Sequence, residues 1–482
     1  MIDGSVPVVV GAATTEQSPR TPDEGLGCSD LLISTAAAAL DDSGVSGLAS
    51  TVDLVLVTQG LSMLVDGATR IAAGIGAPKA RTVTYGVGIP QQTLISRAVE
   101  TVRTGAARTV VVAGAETKRR DDLARRAGIV PPESESPSVS DEYVAPEGEI
   151  VARPEIDVGA VLPVRQYAMI DNARRAAAGW TIDEHRDDVA HLWARFNEVA
   201  GANPKAAFPA PRTAAEIRDP STENRALAFP YNKWHNSQWS VDQAAALVIS
   251  STGIADERGV DRARRVFPLV GLESSFSLSL SRRAELHRWP SMAVLGAAAE
   301  AHLGRGLDTV EHVELYSCFP AAVRVQQQEL GLDPDALSTI TGGMSFAGGP
   351  FNNFVFQATV AMVERLRADP GTFGLVTSVS GLLTKPGLSV WGTTPPSGGV
   401  LVADLALDAE AATEVAPLAA RPSGSGRIAT YTVADDRILA IVDLDSGERA
   451  VAALDDAAAA AEATHEEAIG RRVSVDARDL VW

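Results

Sequence analysis

The chain writes one pattern twice, and that repetition constrains its fold more than any other feature. Tyr85-Gly-Val-Gly-Ile-Pro-Gln-Gln92 opens a helical pattern and leads to Arg108-Thr-Val-Val-Val-Ala-Gly-Ala-Glu116. Phe346-Ala-Gly-Gly-Pro-Phe-Asn-Asn353 opens another and leads to Phe373-Gly-Leu-Val-Thr-Ser-Val-Ser-Gly381. Each copy is a glycine-rich turn, a proline, paired side-chain amides, a long helix and a buried strand. Gly and Pro punctuate most turns, so one match would carry little weight. Two copies in the same order point to duplicated halves that face each other.

Apolar strands alternate with helical patterns from the start. Val8–Ala12, Val52–Thr58, Thr82–Tyr85 and Thr109–Ala113 read as strands, with helices predicted over 29–40, 66–75 and 90–104. Alternation on this scale predicts a mainly parallel α/β layer. It resumes at Val241–Ser250 and Val266–Leu272 and runs to Val402.

Residues 117–232 break the alternation. Pro131–Glu149 is rich in Pro, Ser and charge, and helical patterns follow at Val164–Ala178 and Ile182–Val199. Such an insertion reads as a loop domain of the kind that covers a site. The tail, Ala403–Trp482, holds 16 acidic against 7 basic residues. Gly426–Val433, Arg437–Leu444 and Glu448–Leu454 predict short strands turning at Asp435-Asp436 and Asp445-Ser446-Gly447, followed by an Ala-rich helix. A small β-barrel of the oligonucleotide-binding type is the expected form. The expected division is an N-terminal half (1–116 with 233–253), a loop domain (117–232), a C-terminal half (254–402) and the appended barrel (403–482).

Charge narrows the partners. A net charge of −19 on 482 residues argues against a sequence-independent grip on nucleic acid and against an anionic membrane surface. Two cysteines, Cys28 and Cys318, exclude a disulfide framework or a multi-cysteine metal site, and no histidine pair has metal-ligand spacing. The N-terminus lacks the basic region of a signal peptide, and no apolar run approaches the roughly 20 residues of a membrane span. A soluble, cytoplasmic protein is expected.

A few residues have chemistry to offer. Cys318 lies in Val313-Glu-Leu-Tyr-Ser-Cys-Phe-Pro320, at the start of a predicted helix, where a thiol's pKa falls. The alternative is a buried cysteine acting as a small hydrophobe. Gly342-Gly-Met-Ser-Phe-Ala-Gly-Gly-Pro350 is a turn whose amides could meet a thioester oxygen or anion, or whose glycines only permit close packing. Ser378 and Ser380 end a buried strand, with hydroxyls for a ligand or for the backbone. His235 sits among Trp234, Asn236 and Trp239, as a pocket residue or a packed one. Lys118-Arg119-Arg120, in a run with five positive and two negative charges, could meet ligand phosphates or form a solvated face.

Taken together, these segments resemble the thiolase superfamily over about residues 5–402, and the acidic barrel resembles that of its thiolase-like type 1 group. Leu315-Tyr-Ser-Cys-Phe-Pro is similar to the His-Asp-Cys-Phe loop of sterol-carrier-type thiolases, with Tyr316 and Ser317 in place of His and Asp. Gly348-Gly349-Pro350 resembles the family's Gly-His-Pro, Ser378-Val-Ser380 its Cys-x-Gly, and Asn236–Ala246 its entry into the last strand of the first half. The resemblance implies a duplicated five-layered αβαβα fold with a loop domain over the site. It also implies a nucleophilic cysteine at Tyr85, in a turn that offers Gly86, Val87 and Gly88 instead. A histidine is implied at Gly349 and a second cysteine near Ser378. All three are absent, and only Cys318 survives.

The resulting expectation is a protein of lipid metabolism that binds CoA or acyl-CoA, needs no other cofactor or metal, and is inactive as a thiolase or acetyl-CoA acetyltransferase. CoA-binding candidates are His235, Asn236, Gln238, Lys118, Arg119 and Arg120. Gln238 and Trp239 stand where the family carries a small Ser-Gly beside the pantetheine channel, which implies weak binding. One alternative is an acyltransferase using Cys318, with the Gly348 and Gly349 amides as oxyanion hole. Another is a non-catalytic interaction protein. A monomer is expected, with a homodimer as alternative, because the appended domain could cover the sheet edge through which thiolases pair.

Overall fold

Apolar runs without polar alternation form strands buried on both faces, which requires helices on each side of the sheet. Thr109–Thr117 and Lys385–Gly392 are buried throughout, and Asp242–Ser251 is buried up to its last residue. The computed structural model describes residues 4–130 and 139–482. Residues 131–138, the first part of the Pro-, Ser- and charge-rich segment, lie outside this range, as do residues 1–3.

The first sheet has six strands in the order Pro7–Gln17, Asp242–Ser251, Thr109–Thr117, Val52–Thr58, Arg81–Tyr85, Glu142–Val144. The second has five, ordered His312–Glu314, Phe373–Ser380, Lys385–Gly392, Phe267–Glu273, Leu401–Asp404. The first has three parallel and two antiparallel neighbouring pairs, and the second has two of each. The strand re-entering after the insertion, Asp242–Ser251, runs antiparallel to both neighbours. In the second sheet, Lys385–Gly392 follows Phe373–Ser380 through a tight turn and so reverses direction.

Helices Gln91–Arg103 and Phe354–Ala368, one from each repeat, are sandwiched between the sheets. Cys28–Asp41 packs on the outer face of the first sheet and Pro290–Leu303 on that of the second. The result is the five-layered, duplicated thiolase fold. The paired amides of the repeats cross between halves: Val355 N–H donates to Gln91 Oε1 at 2.8 Å, and Asn352 Nδ2 donates to the Gln59 carbonyl at 2.8 Å.

The tail is a closed five-stranded barrel with its own core, including Ile428, Tyr431, Ile438, Val442 and Val473. Asp435 and Asp436, at φ 54° and 57°, make the left-handed two-residue turn that a tight hairpin needs. The barrel docks on helix Pro163–Ala177 of the insertion. Thr430 Oγ1 donates to the Met169 carbonyl at 2.5 Å, Asn172 Nδ2 to that of Tyr431 at 2.9 Å, and Arg175 pairs with Glu467.

The tail therefore does not cover the edge of the first sheet. That role falls to Glu142–Val144 of the insertion, which pairs with Arg81–Tyr85 in the register Val83–Glu142, Thr84–Tyr143, Tyr85–Val144. Among the described residues, no helix is long and apolar enough to cross a membrane, and no three His, Cys, Asp or Glu side chains form a metal-binding group.

Candidate active site

Three loops are laced together by backbone hydrogen bonds. Ser237 N–H donates to the Cys318 carbonyl at 2.9 Å, Gln238 N–H to that of Met344 at 3.1 Å, and Gly349 N–H to that of Gln238 at 3.0 Å. Residues 237–238 thus stitch the Cys318 loop to the glycine-rich turn. The amides of that turn point inward: Gly342 and Gly343 donate to the hydroxyls of Thr339 and Thr341, and Met344 donates to Ser317 Oγ at 3.1 Å. Of the two readings of this turn, these bonds fit glycines that permit close packing better than amides open to a ligand. Gly349, half of the expected oxyanion hole, already has its acceptor.

Gly349 is glycine for a steric reason. A Cβ there would overlap the Ser237 hydroxyl. At Gly348, where φ is 112°, a Cβ would lie 2.5 Å from Gln243 Oε1. Pro350 follows and accepts from Asn353 N–H at 2.9 Å, turning the chain into the helix. Ser237 fills the space in which a side chain at 349 would begin.

Cys318 precedes Phe319, the N-cap of helix Pro320–Glu329, and is 8% exposed. Burial pushes its thiol up to about 12, outweighing the helix terminus, so the expected thiolate is corrected to a neutral thiol. Tyr316 and Tyr167 flank it. Tyr167 comes from the insertion helix: its ring stacks on Phe319 at 4.4 Å and its hydroxyl lies between Cys318 and the Leu383 backbone. Tyr231 also stacks on Phe319, at 5.8 Å, accepts from Ala321 N–H at 3.2 Å and donates to buried Asp171 at 2.7 Å. Sequence reasoning missed Tyr167. Its helix carries Gln166, Asp171, Asn172, Arg174 and Arg175 among apolar residues, and all are buried, so no polar face marked its orientation.

Tyr85 ends its strand, 2% exposed, and accepts from Arg97 Nη1 at 2.7 Å. Burial raises the phenol's pKa against the pull of Arg97, so it is a neutral group turned to the sheet edge. Val87 and Gly88 form the turn beyond it, and Gly88 has φ 103°. Ser378 Oγ is buried, with no hydrogen-bond partner among the described residues, and Ser380 is 9% exposed at the strand end. Ile150 would touch a Cβ at Gly88, at 3.9 Å, and one at Gly381, at 3.0 Å. The first turn and the Ser378–Gly381 loop therefore face each other across Ile150.

Of the expected CoA contacts, His235 and Asn236 are buried, whereas Gln238, Lys118, Arg119 and Arg120 are part-exposed. His235 is 3% exposed, accepts from Asn232 N–H through Nδ1 at 2.9 Å, and is pushed down to about 3 by burial. It is a packed, neutral ring. Asn236 donates to the Asn232 carbonyl, and Gln238 to those of Lys233 and Asn236. Lys118 pairs with Asp122 at 2.7 Å and lies 4.7 Å from the Trp239 ring centre. Arg119 and Arg120 donate to the carbonyls of Pro19 and Pro22. These cations have partners within the chain on a part-exposed helix.

Over its full length the structure is similar to the crystal structure of a monomeric SCP2-thiolase like protein type 1 from Mycobacterium smegmatis. The TM-score is 0.85 at 26% identity, covering 100% of this chain and 99% of that one. It also matches the Ltp2-ChsH2(DUF35) aldolase (TM-score 0.59, 19% identity, 81% of this chain and 98% of that one). Human mitochondrial 3-ketoacyl-CoA thiolase matches at 0.57 and 16% identity, over 80% and 98%. At those identities, the last two show the fold alone. No protein-family model and no curated protein matches the sequence.

Proposed function

For this chain, a thiolase-superfamily protein by fold and similar throughout to SCP2-thiolase-like protein type 1, we propose CoA or acyl-CoA binding without thiolytic or condensing chemistry. The observation that carries the reading is the state of Cys318. It is 8% exposed, and burial pushes its thiol up to about 12, which keeps it protonated at pH 7. Tyr85 and Gly349 supply neither a nucleophile nor a base, and without a covalent nucleophile the acyl-enzyme route is closed.

The acyltransferase reading has less support, because the Gly349 amide it needs as an oxyanion donor is held by Gln238. A role in lipid metabolism, a monomeric state, a cytoplasmic setting and the four-part division of the chain belong to the same proposal. Two measurements test it: calorimetry with CoA and acetyl-CoA, expected to show weak binding that falls with salt, and a steady-state assay with acetoacetyl-CoA. Turnover near 1 s⁻¹, the low end for ordinary enzymes, would overturn it.

A further inference from the structure

Lys385 begins the strand Lys385–Gly392, opposite Ser380, and is 3% exposed. Its ammonium has three donors. Among the described residues it donates only to the backbone carbonyl of Glu147, a neutral acceptor on an exposed segment. A buried cation held by a carbonyl is poorly compensated compared with one facing a carboxylate.

The segment that supplies the carbonyl is a strap that touches both halves. Pro146 covers Gly86 and Gly88 of the first turn, and Ile150 reaches Gly381 of the second half. Gly148, at φ 87°, lets the strap pass over Lys385, and Ser277 Oγ donates to the Glu149 carbonyl at 2.8 Å. Glu147 and Glu149 are exposed, and the Glu147 carboxylate is the negative charge that acts on Lys385, so the strap carries that charge too. If the strap lifts, that charge leaves with it, and a bare ammonium remains. A neutral ligand would leave this cation uncompensated, whereas a carboxylate would replace both carbonyl and charge.

We propose that Lys385 anchors a carboxylate site that residues 146–150 occupy at rest, and that the ligand is a carboxylate, free or at the far end of an acyl thioester. The thioester form rests on the acyl-CoA reading above; the Lys385 site itself does not.

The test is calorimetry on the full chain with succinyl-CoA, acetyl-CoA and free succinate, with amide exchange of the peptide spanning 142–152 followed in parallel. Succinyl-CoA should bind at least about tenfold more tightly than acetyl-CoA, since a charged hydrogen bond is added. The strap amides should lose protection, and Lys385→Met should abolish the difference while leaving acetyl-CoA unchanged. Ser277→Ala, which removes a tether at the surface, should raise succinyl-CoA affinity about fivefold and guards against a folding defect in the buried variant. Succinate binding that Lys385→Met abolishes, with no CoA ester bound, upholds this site and sinks the CoA reading. Equal affinity for the two esters, or a succinyl preference that survives Lys385→Met, overturns the proposal.

Discussion

Arg97 donates to the Tyr85 hydroxyl at 2.7 Å and holds both oxygens of Glu142 at 3.0 Å, joining the position expected to carry the nucleophile to the strand that closes the sheet edge. Tyr85 is therefore part of an edge-locking cluster. Arg81 adds a second cation on Glu142. The closing strand is three residues long and charged, as blunted edges are.

The first prediction follows from that cluster. Glu142→Arg places three cations together and should detach Glu142–Val144, exposing the backbone of Arg81–Tyr85. Light scattering should show a monomer for the wild type at micromolar concentration and self-association for the variant, with about 1 kcal/mol lost in urea unfolding. A variant that stays monomeric would mean that the edge is guarded elsewhere.

The second concerns Gly349 and Ser237. Gly349→Ala should destabilise by about 1–3 kcal/mol, because the new Cβ collides with the Ser237 hydroxyl. Adding Ser237→Ala should recover most of the loss, a coupling measurable by a double-mutant cycle in urea. Additive effects would show that the two residues do not compete for space.

Much of the fold could be read from the chain because the relevant signals are local. Thr109–Thr117 and Lys385–Gly392 announce themselves as continuous apolar runs, and Asp435-Asp436 as a hairpin turn. Glu142–Val144 could not be read: three residues in a polar, proline-rich segment are held as a strand by long-range partners, with Arg97 and Arg81 on Glu142 and Thr82 on Asp141. The site was harder still. The fit of Ser237 into Gly349, the hydroxyl of Tyr167 beside Cys318 and the carbonyl of Glu147 on Lys385 all join residues more than 60 apart, and no spacing encodes them.

The third prediction concerns Cys318. At pH 8 a thiol near 12 carries about 10³-fold less thiolate than a free cysteine. Iodoacetamide should label the Cys318 peptide of the folded chain at least a hundredfold more slowly than that of the urea-unfolded chain, read by mass spectrometry. Tyr167→Phe, which removes the hydroxyl that favours the thiolate, should not speed it. Rapid labelling in the folded state would revive the acyltransferase reading.

The last prediction is a pH dependence at Glu116. This carboxyl is 1% exposed and accepts from Leu61 N–H at 3.0 Å and Asn352 N–H at 3.1 Å, tying the first half to the turn after Pro350. Burial raises it to about 7, from an ordinary value of 4.5. Below 4.5 both folded and unfolded chains hold the proton, and the contribution is fully present. Between 4.5 and 7 the unfolded chain ionises first, so stability is lost as pH rises, and above 7 the loss levels off. From pH 5 to pH 8 the loss for this group is about 2–3 kcal/mol. His235, pushed down to about 3, works in the opposite direction, so total stability is the wrong readout. The comparison to make is wild type against Glu116→Gln by urea unfolding across that range. Glutamine cannot ionise, so the stability of wild type relative to the variant should fall by about that amount on going from pH 5 to pH 8. Parallel curves would mean that Glu116 ionises in the folded state as readily as in the unfolded one.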